Sequence, residues 1–313
     1  SNLGSSHPHF DMLNSKITVR AIIVIRCLLQ TSANSPAPLL VVSDGCSASS
    51  ALNPMIHGFL KATGMQSYWW GGSWEAFHPS GPHKNPYYTP SVGMGEAIKH
   101  LATDAARANA TLLVKSETGY LTGKVLTVLK QLSFKTVIYW RNNVLDKWIC
   151  NVRDCFARTR TSYPVLASSG QKTDLCFQRR SSHVATKVVL DTSTLAGKLR
   201  VMKQNRIKVQ KIMKRHGFGL KAAHLFDYDT LYGYEYSDLK LRKSVIGWQR
   251  LMECFGVKVE SAVIEQTLRP HTGSRLMKLH NGTIYNIEEV AQTLRKKTNV
   301  DLWHYLRISH GRT

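Results

Sequence analysis

The sequence predicts an α/β fold with three α/β/α layers around a central, mainly parallel sheet, and three features carry that expectation. Short apolar runs alternate with helical patterns through the first half of the chain. The first run passes through a loop of small residues into a helix, which is the opening of an α/β nucleotide fold. A composition of 43% hydrophobic and 9% aromatic residues over 313 positions supplies a real core and excludes disorder as a description of the whole chain.

The elements follow in order. After a Pro-rich entry at Ser35–Pro38, Leu39–Ser43 (LLVVS) reads as a buried strand. Past the loop, Leu52, Met55, Ile56, Phe59 and Leu60 have helical spacing, and Gly64 fits the C′ position that closes the helix. Met65–Pro90 reads as irregular and rich in Trp, Tyr, Gly and Pro. A helix is expected over Val92–Asn109, a strand over Thr111–Lys115, a helix over Leu121–Leu132, a strand over Lys135–Trp140 and a helix over Asn143–Phe156. This alternation implies parallel strands. The second half opens on a polar connection, Thr159–His183. A basic helix, a strand at Ala222–Tyr228 and a helix at Asp238–Phe255 follow it. Asn286 with Glu289 three residues on forms a capping-box pattern for a helix running to about Lys297. The expected organisation is an N-terminal segment over 1–37, partly foreign to the domain or flexible, and one domain over 38–313 with an aromatic-rich insertion at 65–90.

The chain carries 42 Lys+Arg against 20 Asp+Glu, a formal charge of 42 − 20 = +22, so anionic partners are expected. The densest basic stretch is Lys198–Lys221, with Leu199, Met202, Val209, Ile212 and Met213 at roughly helical spacing. A solvated face of an amphipathic helix and a dedicated polyanion-binding face both fit it. The longest apolar candidate, Ile17–Leu29, is too short to span a bilayer and contains Arg20 and Arg26, so no membrane span is expected. The six cysteines form no CxxC pair and define no disulfide framework, and no zinc spacing surrounds Cys150 and Cys155. Reduced thiols with no legible signal peptide favour a cytoplasmic location.

The loop after the first strand, Gly45-Cys46-Ser47-Ala48-Ser49-Ser50, lets backbone N–H groups and three hydroxyls converge on an oxyanion at a helix N-terminus. A structural βα turn rich in Ser has the same composition. The Walker lysine pattern is absent.

This loop resembles the 5′-phosphosulfate loop of the PAPS-dependent sulfotransferases, and further motifs match in order. Lys115-Ser116-Glu117 stands where that family commonly has Lys-Thr-His. The run from Val137 through Arg141 to Asp146 is similar to the strand–Arg–helix element that binds the nucleotide 3′-phosphate. Phe226-Asp227-Tyr228-Asp229-Thr230-Leu231 is similar to the family's Tyr-Glu-Asp-Leu stretch, and Trp248–Val257 to the Trp-…-Phe-Leu-Gly-Val after it. The resemblance runs from about Leu39 to the C-terminus and implies the P-loop-like sulfotransferase architecture.

The resemblance also implies roles. Gly45–Ser50 would cradle the 5′-phosphosulfate of PAPS, Lys115 would be the cation at the transferring group, and Glu117 would be the general base in place of His. Arg141 would hold the 3′-phosphate, with Cys150 near it and Arg269 or Arg275 closing over it. The aromatic segment, with Trp69, Trp70, Trp74 and His78, would meet the acceptor, a glycan or small metabolite for which an acidic character fits the positive surface. PAP is the implied product, no metal is needed, and nucleic acid is not the expected partner. Several positions depart from the family. Cys46 stands where a Lys or Arg is usual, Ala48 replaces a Gly, Ala51 replaces an aromatic residue, and Cys150 replaces a Ser one residue later than expected. Compensation by other residues, weak PAPS binding, and nucleotide binding without transfer are the three readings these departures leave open. The alternative function is a basic polyanion- or nucleotide-binding protein of the same fold.

Overall fold

The computed structural model describes residues 37–43, 49–69, 85–141, 143–145, 147–148, 189–233, 238–271 and 284–298. Five strands form one sheet, and every pairing in it is parallel: β1 (Leu39–Ser43), β2 (Ser67–Trp69), β3 (Thr111–Glu117), β4 (Lys135–Trp140) and β5 (Leu225–Asp227). Their order across the sheet is β2-β3-β1-β4-β5. The three central strands are almost wholly buried, and each contains an apolar run, Leu39–Val42, Leu112–Val114 and Val137–Trp140, the pattern of strands covered on both faces.

Eight helices are described alongside the strands. They are α1 (Ser49–Ala62), α2 (Gly93–Arg107), α3 (Gly123–Gln131), α4 (Thr192–Arg215), α5 (Tyr228–Tyr232), α6 (Asp238–Cys254), α7 (Ser261–Leu268) and α8 (Ile287–Thr298). The side-chain period of two along a strand divides them into layers. Leu39, Val41, Leu113, Val137 and Tyr139 point to the face covered by α1, α5, α6 and α7. Leu40, Val42, Leu112, Val114, Ile138 and Trp140 point to the face covered by α2, α3 and the end of α4. The expected three-layer α/β/α arrangement is therefore present.

A third apolar cluster joins Val144 and Leu145 to Leu190, Leu195 and Leu199, and to Ile284, Val290 and Leu294 of α8 and its approach. Leu231, Trp248 and Phe59 tie the first layer together. The Trp248 indole N–H donates to Leu231 O at 2.9 Å, and its ring packs edge-on against Phe59 at 5.4 Å. Gly247, one residue earlier, is required by this packing, since a Cβ there would sit 2.8 Å from Thr230 O.

Several boundaries differ from expectation for local reasons. Gly64, at φ 77°, closes α1 as predicted, with Met65 N–H donating to Leu60 O at 2.9 Å and Gly64 N–H to Lys61 O at 3.0 Å. The segment after it is not wholly irregular, because Ser67–Trp69 forms the edge strand β2 on β3. The strand expected at Ala222–Tyr228 shrinks to β5. Asp227 caps α5 instead, accepting from Asp229 N at 2.9 Å and Thr230 N at 3.1 Å. The basic helix starts earlier than its charge run, at Thr192, where Asp191 accepts from Ser193 N at 2.9 Å. The capping box at Asn286 is partly diverted. Its side-chain amide clasps Leu190, accepting from Leu190 N at 3.0 Å and donating to Leu190 O at 2.9 Å, and it also donates to Glu289 at 3.0 Å. Of the helix expected over Asn143–Phe156, residues 144–145 and 147–148 are helical, Asn143 precedes them in non-helical backbone, and 146 and 149–156 lie outside the described residues.

Candidate nucleotide site

The topology selects a location before any motif is considered. The helix leaving β1, α1, packs on one face of the sheet, whereas the helices that leave β3 and precede β5 pack on the other. Neighbouring parallel strands whose connections diverge to opposite faces leave a crevice at their carboxyl ends, where open α/β sheets bind ligands.

The strand register fills in the side chains. Ser43, last in β1, pairs with Glu117 on β3 and with Tyr139 on β4, and Val41 pairs with Lys115. Parallel partners share a face, so Ser43, Lys115, Glu117 and Tyr139 all stand on the α1 side. With strands about 4.8 Å apart, Glu117 to Tyr139 spans about 10 Å. Residues 44–48 join Ser43 to Ser49, the first residue of α1, so the N-terminus of that 14-residue helix belongs to the same edge.

Lys115 is 3% exposed in β3, between the aliphatic run Leu112–Val114 and the polar pair Ser116 and Glu117. Burying an ammonium is costly, and Lys115 is not without a partner. Glu117 is half-buried and precedes the 3₁₀ turn Thr118–Tyr120, for which its side chain makes no capping hydrogen bond. Capping is therefore not what this carboxylate does.

Arg141 leaves the end of β4 half-buried. Its guanidinium lies over the Tyr228 ring, 4.5 Å from the centroid, and Tyr228 stacks on Tyr232 at 5.2 Å. Its own carbonyl accepts a hydrogen bond from Arg206 of α4. An arginine stacked on an aromatic face is held in orientation, and the fork geometry of a guanidinium suits a phosphate. The resemblance motifs around Arg141 and Tyr228, 87 residues apart in sequence, are thereby brought into one contact.

Ser49 and Ser50 begin α1 at this same edge, and Trp69 lies in β2. Arg269 ends α7, is exposed, and pairs with Glu265 one turn earlier. Gly45, Cys46, Ser47, Ala48, Trp70, Trp74, His78, Cys150 and Arg275 lie outside the described residues. Among the described residues, no group of three His, Cys, Asp or Glu side chains is placed to hold a metal, and no helix is long and apolar enough to cross a membrane.

No family model matches the chain, and no curated protein or solved structure matches it. The likeness to sulfotransferases therefore rests on this chain's own residues and their placement.

Sequence reasoning passed over Ser43 and Tyr139. Both were marked by a detectable signal, a hydroxyl inside an otherwise apolar strand, where every polar atom needs a partner.

Proposed function

We propose that this protein is a PAPS-dependent sulfotransferase that moves a sulfuryl group to a hydroxyl or amine acceptor on a glycan or small metabolite. The observation that carries the reading is the convergence of Lys115, Glu117 and Arg141 from two different strands, with the N-terminus of α1, at the diverging carboxyl ends of the sheet.

The donor supplies an activated sulfuryl group on a phosphate leaving group, and every other function falls to the chain. The α1 N-terminus and the loop before it receive the 5′-phosphate oxygens. Arg141, set by Tyr228, receives the 3′-phosphate. Lys115 stands where negative charge grows on the leaving oxygen as the S–O bond to phosphate breaks. Glu117 accepts the acceptor's proton as the new bond to sulfur forms, so the products are PAP, the sulfated acceptor and a protonated carboxyl. Sulfuryl transfer relies on positioning and charge stabilisation, which a rigid sheet edge provides.

The test is calorimetric titration with PAP at two salt concentrations beside a short heparin fragment. A one-to-one site of micromolar or tighter affinity that persists at higher salt supports the reading. Salt-labile heparin binding with no PAP site overturns it.

One observation favours the second reading, a polyanion-binding protein. The 24-residue α4, about 36 Å long, has eight Lys or Arg and no acidic residue. Lys208, Lys211 and Arg215 line, with Gln204, Ile207 and Ile212, a groove of about 470 Å³, and Arg200 is exposed on the same helix. Reversing Lys208, Lys211 and Arg215 to Glu abolishes heparin binding under this reading and leaves PAP binding intact under the first.

A further inference from the structure

Two hydroxyls at the same edge of the sheet have no role in holding the fold together. Ser43 Oγ and Tyr139 Oη are fully buried, and neither has a hydrogen-bond partner among the described residues. They are register partners across β1 and β4, so they stand side by side on the α1 face, next to the loop that follows β1. Ser116, at the end of β3 on the opposite face, shows the usual outcome, since its hydroxyl donates to Glu117 O at 2.9 Å.

An unsatisfied buried hydroxyl is a standing penalty that Ala at 43 or Phe at 139 would remove. The packing does not require either group: Tyr139 meets Tyr232 ring to ring, edge-on at 6.3 Å, a contact that Phe reproduces. Burial, reinforced by Tyr232 and Tyr228, holds the Tyr139 hydroxyl well above its ordinary pKa, so it remains a protonated donor. Arg141 and Asp227 are the charged groups near it, and Glu117 lies on the far side of Ser43. Donors kept without acceptors beside a cationic arginine and a helix N-terminus suit an incoming anion.

We propose that Ser43 and Tyr139 are ligand-binding residues whose hydroxyls donate to phosphate oxygens of an anion held between the N-terminus of α1 and Arg141. The inference rests on the nucleotide reading of this site and names two of its donors. They take over from Cys46, where the resembling family has a cation, and from Cys150, where it has a serine. The neutral hydroxyls serve a dianionic phosphate without adding a buried charge, and their pairing at one carboxyl edge of the sheet sets them apart from isolated unpaired groups such as Thr111 Oγ1 and Asn53 Oδ1.

The experiment compares Tyr139→Phe and Ser43→Ala with the unaltered protein, reading Tm without ligand and calorimetric affinity for PAP and for pyrophosphate. The expected result is an equal or higher Tm in each variant, with PAP affinity weakened about tenfold or more by each change. A lowered Tm with unchanged affinity overturns the proposal, because the hydroxyls would then serve the fold. If the unaltered protein binds pyrophosphate but not PAP, the sulfotransferase reading falls, and the variants' loss or retention of pyrophosphate decides the role of the hydroxyls. An unaltered protein that binds neither anion overturns both.

Discussion

Across the central strands, the polar residues directed at α2 and α3 are Thr136 and Ser116, and the hydroxyls of both are bonded to backbone carbonyls. The residues directed at α1 start from Thr111 and Lys135 at the amino ends, run through Leu39, Val41, Leu113 and Val137, and turn polar again at the carboxyl ends as Ser43, Lys115 and Glu117. The two faces bury similar backbones with similar apolar neighbours, so strand formation does not account for the difference. One face satisfies the packing of a scaffold throughout. The other gives up hydrophobic contact and hydrogen-bond satisfaction where its strands end, the signature of a site held in place by a stable fold.

The comparison is sharpened first on the scaffold face. Leu126 of α3 is fully buried there, and Leu126→Ala is expected to cost about 2–5 kcal/mol in chemical denaturation while the folded protein keeps its PAP affinity. A large loss of affinity in that variant would break the distinction between the faces.

Arg141→Ala reverses the pattern. PAP affinity should fall by a factor on the order of 10², about 2.7 kcal/mol, with little change in Tm, and unaltered binding removes the phosphate assignment. Glu117→Gln is expected to lower turnover by a similar factor, on the order of 10², with PAP still bound; full turnover eliminates Glu117 as the base.

The smallest effect lies away from the sheet. Asp191, the cap of α4, is held below the ordinary carboxylate range by hydrogen bonds from Ser193 and Thr194 that outweigh its desolvation. A carboxyl lowered in the folded state stabilises above its unfolded pKa and loses that contribution as pH falls through the folded value. Asp191→Ala should therefore cost about 1 kcal/mol at neutral pH and much less in strong acid, as pH-dependent melting can read.

The layers were legible in the sequence because β1, β3 and β4 are built on short apolar runs, Leu39–Val42, Leu112–Val114 and Val137–Trp140, for which tertiary context and local propensity agree. β2 was not, since three residues at a sheet edge carry too little periodicity to stand out among aromatic neighbours. β5 was drawn too long because Ala222–His224 forms a 3₁₀ turn before it and Asp227, its last residue, caps the helix that starts at Tyr228, a choice made by hydrogen bonds that hydropathy does not register. Lys115, Glu117 and Arg141 were legible as chemistry at strand ends. Their sharing of one edge depends on register, as does the pairing of Ser43 with Tyr139, 96 positions later. Arg269 carried the right charge, but its neighbour one turn back, Glu265, claims it.

The third apolar cluster has a consequence for how the chain matures. Val144 and Leu145, just past Arg141, find their neighbours in residues 190–199 and 284–294, so the backbone that presents this arginine is packed only after residue 294 has been synthesised. During translation from the N-terminus, β1 to β4 with α1 to α3 can already assemble while the segment behind Arg141 still lacks its support. The end of β4 is therefore completed later than the strands around it, and a nascent chain that has paired those strands does not yet hold Arg141 in its final setting.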